Sequence, residues 1–326
     1  MSAICSSRGL GLVSALLASA ALALPCGSQA ASPPPSPRVP SVHTGGLPTV
    51  STVSATLKGT INPHGLETVY AFQFGTTAGY GAQTAPVSAG SGTAEIKVSQ
   101  TISGLQPGTT YHFRLVATNP AGTANGQDVA LTTKKIPLTF QVAGTPNPVV
   151  FGSGFSVGGI LSGTGAAGRQ IVLQTNPYPY LGGFKAIGSP EVTDPGGRFS
   201  FFVESLSVNS LFRVATVGSP TVNSLVVAQR VAVRVNLHLH STGRHGFVRM
   251  YGTVAPAEVG VPVGFQLMRT GHRPLTVAGT ITKRASASGA RFSRVVRIRR
   301  GGLYRAYVQV AGGKQVSGYS RSLLIR

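Results

Sequence analysis

From Phe292 to Arg300 the sequence reads FSRVVRIRR, and every basic residue in it is arginine. Phe292, Val296 and Ile298 share one parity, while Arg291, Arg297 and Arg299 share the other. A strand here therefore turns an apolar face to a core and a row of guanidinium groups to solvent. With Arg300 adjoining, the row is about 26 Å long at about 3.3 Å per residue. Guanidinium is planar and donor-only, and it matches carboxylate or phosphate oxygens two at a time, so the chemistry on offer is anion recognition. Arg273 and Arg284 extend the candidate set. Arg294 falls on the apolar parity and Val295 on the basic one, which predicts a bulge or an edge position near 294. The plainer alternative is a sheet face or edge kept soluble by charge.

The surrounding charge favours a partner. From Asn236 to Arg326 there are 15 Lys and Arg against one acid, Glu258, a net of +14 out of +21 for the whole chain. Solubility needs only a modest net charge, whereas a strongly one-signed segment attracts polyanions. The expected partner is an anionic cell-wall polymer or a membrane surface, held by contacts that weaken with salt. Nucleic acid fits less well, because no recognition helix, zinc motif or paired aromatic platform is present.

Other residue groupings offer different chemistry. In the loop from Asn176 to Phe184 (NPYPYLGGF), Tyr178 and Tyr180 stand between prolines and present stacking faces to sugar rings, so carbohydrate is a second partner class. The alternative is that both rings close the end of a sandwich. His238 and His240 share a face on a strand, with His245 close by, but no cysteine joins them and Glu258 is the nearest acid in sequence. A solvated interdomain segment is therefore expected in place of a metal site.

Catalysis is limited by scarcity, since Glu67, Glu95, Asp128, Glu191, Asp194, Glu204 and Glu258 are the only carboxylate side chains. Asp194 sits in TDPGG, a turn whose mechanism is backbone capping, and Glu191 belongs to the same surface connection. No nucleophile elbow, phosphate loop or dinucleotide fingerprint occurs, so neither an enzyme nor a cofactor is expected.

The elements that must carry these residues read as β throughout. Arg8 precedes an uncharged run from Gly9 to Leu24, and Ser28 and Ala30 are small residues before Ala31. Residues 1–30 are thus expected to be a Sec-type signal peptide, with an uncleaved anchor as the alternative, and the protein to be secreted or on the cell surface. Cys5 and Cys26, the only cysteines, both fall in this leader. Residues 31–40 form a proline-rich spacer favouring polyproline II. Beyond it, short runs of Val, Thr, Phe, Tyr and Ile alternate with Gly, Pro and Asn turns, and 43 Gly and 22 Pro exclude long helices.

Five strands are expected in 41–134: 55–61, 68–74, 94–102, 111–118 and 129–133. Pro107 and Gly108 form a turn leading into Tyr111, the start of an alternating strand, which is the layout of a tyrosine corner. With ATLKGTINP from Ala55 to Pro63, FQFGT from Phe72 to Thr76 and NPAG from Asn119 to Gly122, this stretch resembles a fibronectin type III domain of the kind carried by exported bacterial proteins. The tryptophan that many members place on the second strand is absent. The resemblance implies a binding or spacer module.

The rest of the chain repeats itself. Gly197-Arg198-Phe199-Ser200 answers Ala290-Arg291-Phe292-Ser293. The run from Gly168 to Gln174 answers Gly260 to Gln266, and Leu211 to Val214 answers Leu303 to Ala306, at a near-constant offset. Two copies of one module follow, at 135–235 and 236–326, and both resemble bacterial immunoglobulin-like domains. The expected fold is all-β, with tandem β-sandwiches: one fibronectin type III-like, then two immunoglobulin-like. The expected function is a non-enzymatic adhesion or scaffold unit whose basic end module attaches to an anionic surface polymer through Arg273, Arg284, Arg291, Arg297, Arg299 and Arg300. The alternative is a carbohydrate-binding accessory or a secreted enzyme.

Overall fold

The alternation of Ser54–Asn62 (SATLKGTIN) sets the first sandwich: Ala55, Leu57, Gly59 and Ile61 are buried and the residues that alternate with them are half-buried. The computed structural model describes residues 36–287 and 289–326. The leader, its two cysteines and the start of the proline-rich spacer lie outside the described residues, and all regular structure among these is β.

In the first sandwich one sheet centres on Ser54–Asn62, flanked by Ser41–Thr44 and Thr49–Val50 on one side and Ile96–Ser103 on the other. The facing sheet runs in the order Val129–Thr132, Thr110–Asn119, Thr68–Gly75, Ala82–Gln83. Without tryptophan, the core is filled by Leu57, Phe72, Phe113 and Leu115, all fully buried, with the two phenyl rings 6.4 Å apart. Tyr111 completes the expected corner: its hydroxyl accepts the Gln106 N–H at 3.0 Å. The five expected strands are found within two residues of their predicted ends. The strands not anticipated, such as Val87–Gly90 and Gly122–Asn125, are short and nearly free of large apolar residues, so no alternation marks them.

One small polar cluster tops this sandwich. Asp128 accepts the Tyr80 hydroxyl at 2.9 Å and lies 2.7 Å from the His112 ring nitrogen, the one ion pair among the described residues. The His112 hydrogen bond, supported by Tyr80, holds the Asp128 carboxyl below the ordinary carboxylate range.

The middle and end sandwiches share one strand order. In the middle one, Thr139–Thr145, Ser153–Ser162 and Arg198–Leu206 face the sheet Lys185–Val192, Gln170–Pro177, Ser210–Thr216, Val227–Gln229. In the end one, Arg234–Ser241, Phe247–Ala255, Gly289–Arg297 and Arg284–Ser286 face His272–Ile281, Pro262–Arg269, Gly302–Val308 and Gly318–Tyr319. Equivalent details recur in both. Gly159 and Gly252 sit where a Cβ would lie 2.0 Å and 1.8 Å from the neighbouring strand's carbonyl oxygen and under 3 Å from the Phe199 and Phe292 rings, so only glycine lets the strands close over those rings. Buried Thr193 donates to the Ala166 carbonyl and accepts the Arg169 N–H; buried Thr282 does the same with Glu258 and Val261.

One device reaches all three sandwiches. Cross-strand pairs Gln73–Arg114, Gln174–Arg213 and Gln266–Arg305 join Arg Nε to the glutamine oxygen at 2.8, 2.7 and 3.1 Å. Each guanidinium also lies over an aromatic ring, of Tyr80, Phe184 and Tyr319 respectively. The end sandwich has its own tyrosine anchor too, because buried Tyr304 donates its hydroxyl to the Arg300 carbonyl at 2.7 Å.

The two connections differ. Lys134 N–H donates to Ser51 O in the first sandwich, while the Ile136 N–H donates to Thr164 Oγ1 in the middle one, leaving Lys135 as the link. Between the middle and end sandwiches the backbone itself is shared. Val316 N–H donates to Val231 O at 2.7 Å, and Val233 N–H returns to Val316 O at 3.1 Å. Asn209 accepts Val231 N–H through Oδ1 and donates through Nδ2 to Gly313 O, both at 2.7 Å, and Gln315 Nε2 donates to Ser207 O at 2.8 Å.

Two outcomes test this account. Tyr111→Phe should lower the stability of the first sandwich by about 1 to 2 kcal/mol, since it strands the Gln106 N–H, as read by denaturant unfolding of the full chain. Asp128, with its pKa depressed by folding, contributes stability that is present above the unfolded carboxylate pKa and is lost as pH falls through the folded one. Asp128→Asn should therefore flatten the acid limb of a thermal-melting profile against pH.

Candidate polyanion-binding face

The register of the end sandwich fixes which side chains share its outer face. Asn236 lies opposite Thr253, Thr253 opposite Arg291 and Arg291 opposite Arg284. Two residues along, the row is His238, Tyr251, Ser293; then His240, Arg249, Val295; then Phe247 opposite Arg297. Since side chains alternate across a strand, these stand on one face, while Leu237, Met250, Phe292 and Val296 are buried beneath them. At about 4.8 Å between strands and about 3.3 Å per residue, the face measures roughly 14 by 20 Å. A shallow depression of about 810 Å³ opens over it, lined by His238, His240, Arg249, Tyr251, Lys283, Arg284, Arg291 and Ser293 among others.

No carboxylate lines this depression, and Glu258 is exposed in the loop after the 247–255 strand. Arg284 and Arg291 stand directly opposite each other, a like-charge cross-strand pair of the kind that destabilises a sheet by up to about 1 kcal/mol. With no acid to neutralise them, these groups raise the local positive potential and suit an external anion.

The residues singled out in the sequence divide. Arg284, Arg291 and Arg297 share the face. Arg299 and Arg300 follow the strand and line a second depression, of about 530 Å³, with Arg244, His245 and Arg326. Arg273 lies on 272–281, in the opposite sheet, where its carbonyl accepts both Nε and Nη2 of Arg269. No bulge forms near 294: the register with 247–255 runs unbroken from Arg297 to Ala290. The edge alternative holds instead, because 284–286 covers only residues 289–291 of the strand. Arg294, on the inner parity at that open edge, reaches across to the Gly279 carbonyl of the facing sheet and so stays exposed.

His238 and His240 do share a face, but on the first full strand of the end sandwich and not in an interdomain segment. The His238 ring stacks on Tyr251 at 5.5 Å and 30°. Among the described residues no group of three His, Cys, Asp or Glu is placed to hold a metal. Tyr178 and Tyr180 pack edge to face at 5.7 Å, each a little over one-third exposed. A methyl added at Gly313 would come 3.3 Å from the Tyr178 ring, so that ring borders the connection to the end sandwich. Asp194 caps its turn as expected, its Oδ1 accepting the Gly196 and Arg198 N–H groups at 2.8 and 2.7 Å.

Tyr251 was not singled out from the sequence. The signal available was the odd-parity set Arg249, Tyr251, Thr253, which mirrors the even-parity set Asn236, His238, His240 across the hairpin.

No model of a known protein family matches the chain. No curated protein matches it. Among solved structures it is similar to a tetra-tandem repeat from the extending region of a large adhesion protein, at 13% identity over 87% of this chain and 74% of that one, with a TM-score of 0.37. It is also similar to a D1–D4 ectodomain fragment of ICAM-5 (14% identity, 88% and 75% covered, TM-score 0.41). The FN1–FN3 domains of chicken CNTN1 are a third likeness (16%, 88% and 97%, TM-score 0.25). The strand orders described above are those of tandem fibronectin- and immunoglobulin-like sandwiches.

The like-charge pair yields a test with opposed signs. Arg284→Ser should leave the end sandwich as stable or up to about 1 kcal/mol more stable at low salt, while weakening retention on an anionic matrix. Both are read on the same preparation by melting and by salt elution.

Proposed function

We propose that the protein is an exported, non-enzymatic adhesion or scaffold unit, in which the first two sandwiches space the third and the third attaches to an anionic cell-wall polymer or membrane surface. The observation that carries this reading is the outer face of the end sandwich, where Arg249, Lys283, Arg284, Arg291 and Arg297 gather with no carboxylate lining the depression beside them. Attachment is multipoint and electrostatic. Each guanidinium replaces counterions on the polymer, so affinity falls steeply with salt. Tyr178 and Tyr180 are not part of this face: they sit where the middle sandwich meets the end one, beside Gly313.

The test uses the full chain against a wall polymer with phosphodiester groups, vesicles of phosphatidylglycerol in phosphatidylcholine, and duplex DNA, each from about 50 to 200 mM salt. Several simultaneous phosphate contacts predict at least about a tenfold loss of affinity across that range. The triple variant R284S/R291S/R297S should bind more weakly and with a shallower salt slope. Weak binding to all three, or a triple variant that binds as the parent does, would sink the reading.

A further inference from the structure

We infer that the depression over the end sandwich is built for a ring-bearing anion, and that its ligand is an acidic glycan whose sugar units carry carboxylate or sulfate groups. This rests on the polyanion reading above and narrows it. A row of cations alone accepts any polyanion. What singles out this place is Tyr251, 40% exposed, set among them with its partners arranged asymmetrically. On the 234–241 side its ring is covered by His238, stacked at 5.5 Å. On the other side the cross-strand neighbour is Ser293, whose side chain is too small to cover a phenol ring. Beyond Ser293 the depression is lined by Lys283, Arg284 and Arg291.

The result is a slot with an aromatic wall, a hydroxyl floor and a cationic wall. Its volume, about 810 Å³, falls within the roughly 300 to 1,000 Å³ of small-molecule sites. Aromatic faces pack on the C–H faces of sugar rings, and the hydroxyl of Ser293 serves as donor or acceptor to ring hydroxyls. The cationic wall is made only of donors, Lys283, Arg284 and Arg291, which suits an acceptor-only group such as carboxylate or sulfate. A nucleobase edge, which mixes donors and acceptors, leaves its own donors unpaired against such a wall. A nucleic acid strand would also need further aromatic platforms along its path; the next rows offer only His240 and Phe247, and the Phe247 ring already carries the Arg244 guanidinium at 4.4 Å. A ringless polyanion gains no stacking from the Tyr251 ring.

The experiment measures binding of the full chain by titration calorimetry at fixed ionic strength, with oligogalacturonate, heparin fragments, polyphosphate of similar charge, oligo-dT and neutral dextran. Oligogalacturonate or heparin should bind more tightly than polyphosphate, and dextran should not bind. Tyr251→Ala should weaken the acidic glycan about fivefold, the scale of one aromatic contact, and leave polyphosphate unchanged. Tyr251→Phe should retain glycan binding, which separates loss of the ring from loss of the fold. R284S/R291S should weaken both polyanions. If Tyr251→Ala leaves glycan affinity unchanged while polyphosphate still binds, the ring-bearing ligand is overturned and the broader polyanion reading stands. Tighter binding of oligo-dT than of either glycan, with the same dependence on Tyr251, overturns it in favour of nucleic acid. If no polyanion binds, both readings fall together.

Discussion

Apolar side chains at every second position of two facing sheets hold each sandwich closed, and everything else about this protein is built on that alternation. The only cysteines are Cys5 and Cys26, so no disulfide can tie one sheet to the other. Charge adds little to cohesion, since His112–Asp128 is the one ion pair among the described residues. What remains is the burial of rings and branched aliphatics such as Phe72 and Phe113, Phe155 and Phe212, Phe265 and Phe292, with hydroxyls and glutamines satisfying the polar groups at the margins. A fully buried large apolar side chain contributes about 1.5 to 3 kcal/mol, enough in number to offset chain entropy without covalent help.

That economy frees the outer faces. Since the inner parity alone holds a sandwich together, the outer parity can carry groups that oppose folding slightly, and the end sandwich does so with Arg284 against Arg291. The arginines in the sheets opposite are handled differently. Arg114, Arg213 and Arg305 are each held by a glutamine oxygen and an aromatic ring, which spreads their charge and orders the side chain. The same residue type is thus tethered on one face and left available on another.

The fold was largely legible in the sequence because its signals are local. Proline, glycine and Tyr111 within five positions announce the corner, and the parity of Phe292, Val296 and Arg297 assigns core and surface correctly. The face was legible only in part. Arg284, Arg291 and Arg297 carry their own charge pattern, but Tyr251 joins them through pairing between strands some 40 residues apart, which no local pattern specifies. Arg273 was grouped with them by proximity in sequence, and the crossover between the 247–255 and 262–269 strands takes it to the opposite sheet. Arg294 broke the alternation because of an open edge, a property of its neighbours and not of its own strand. The glutamine–arginine device in the first sandwich was hidden by spacing: its partners are 41 residues apart, against 39 in the other two.

The connection through Val316 has a bearing on how the chain can be cut or recombined. A segment late in the end sandwich completes the backbone pairing of Val231 and Val233, and Asn209 of the middle sandwich spans both. A fragment that starts at residue 236 leaves Val316 without either partner, and one that stops at 235 leaves Asn209 Nδ2 facing solvent where Gly313 had been. The junction of the last two sandwiches is therefore a poor place to divide or graft the chain. The portable unit is the pair, whereas the single residue Lys135 marks the seam at which the first sandwich can be exchanged.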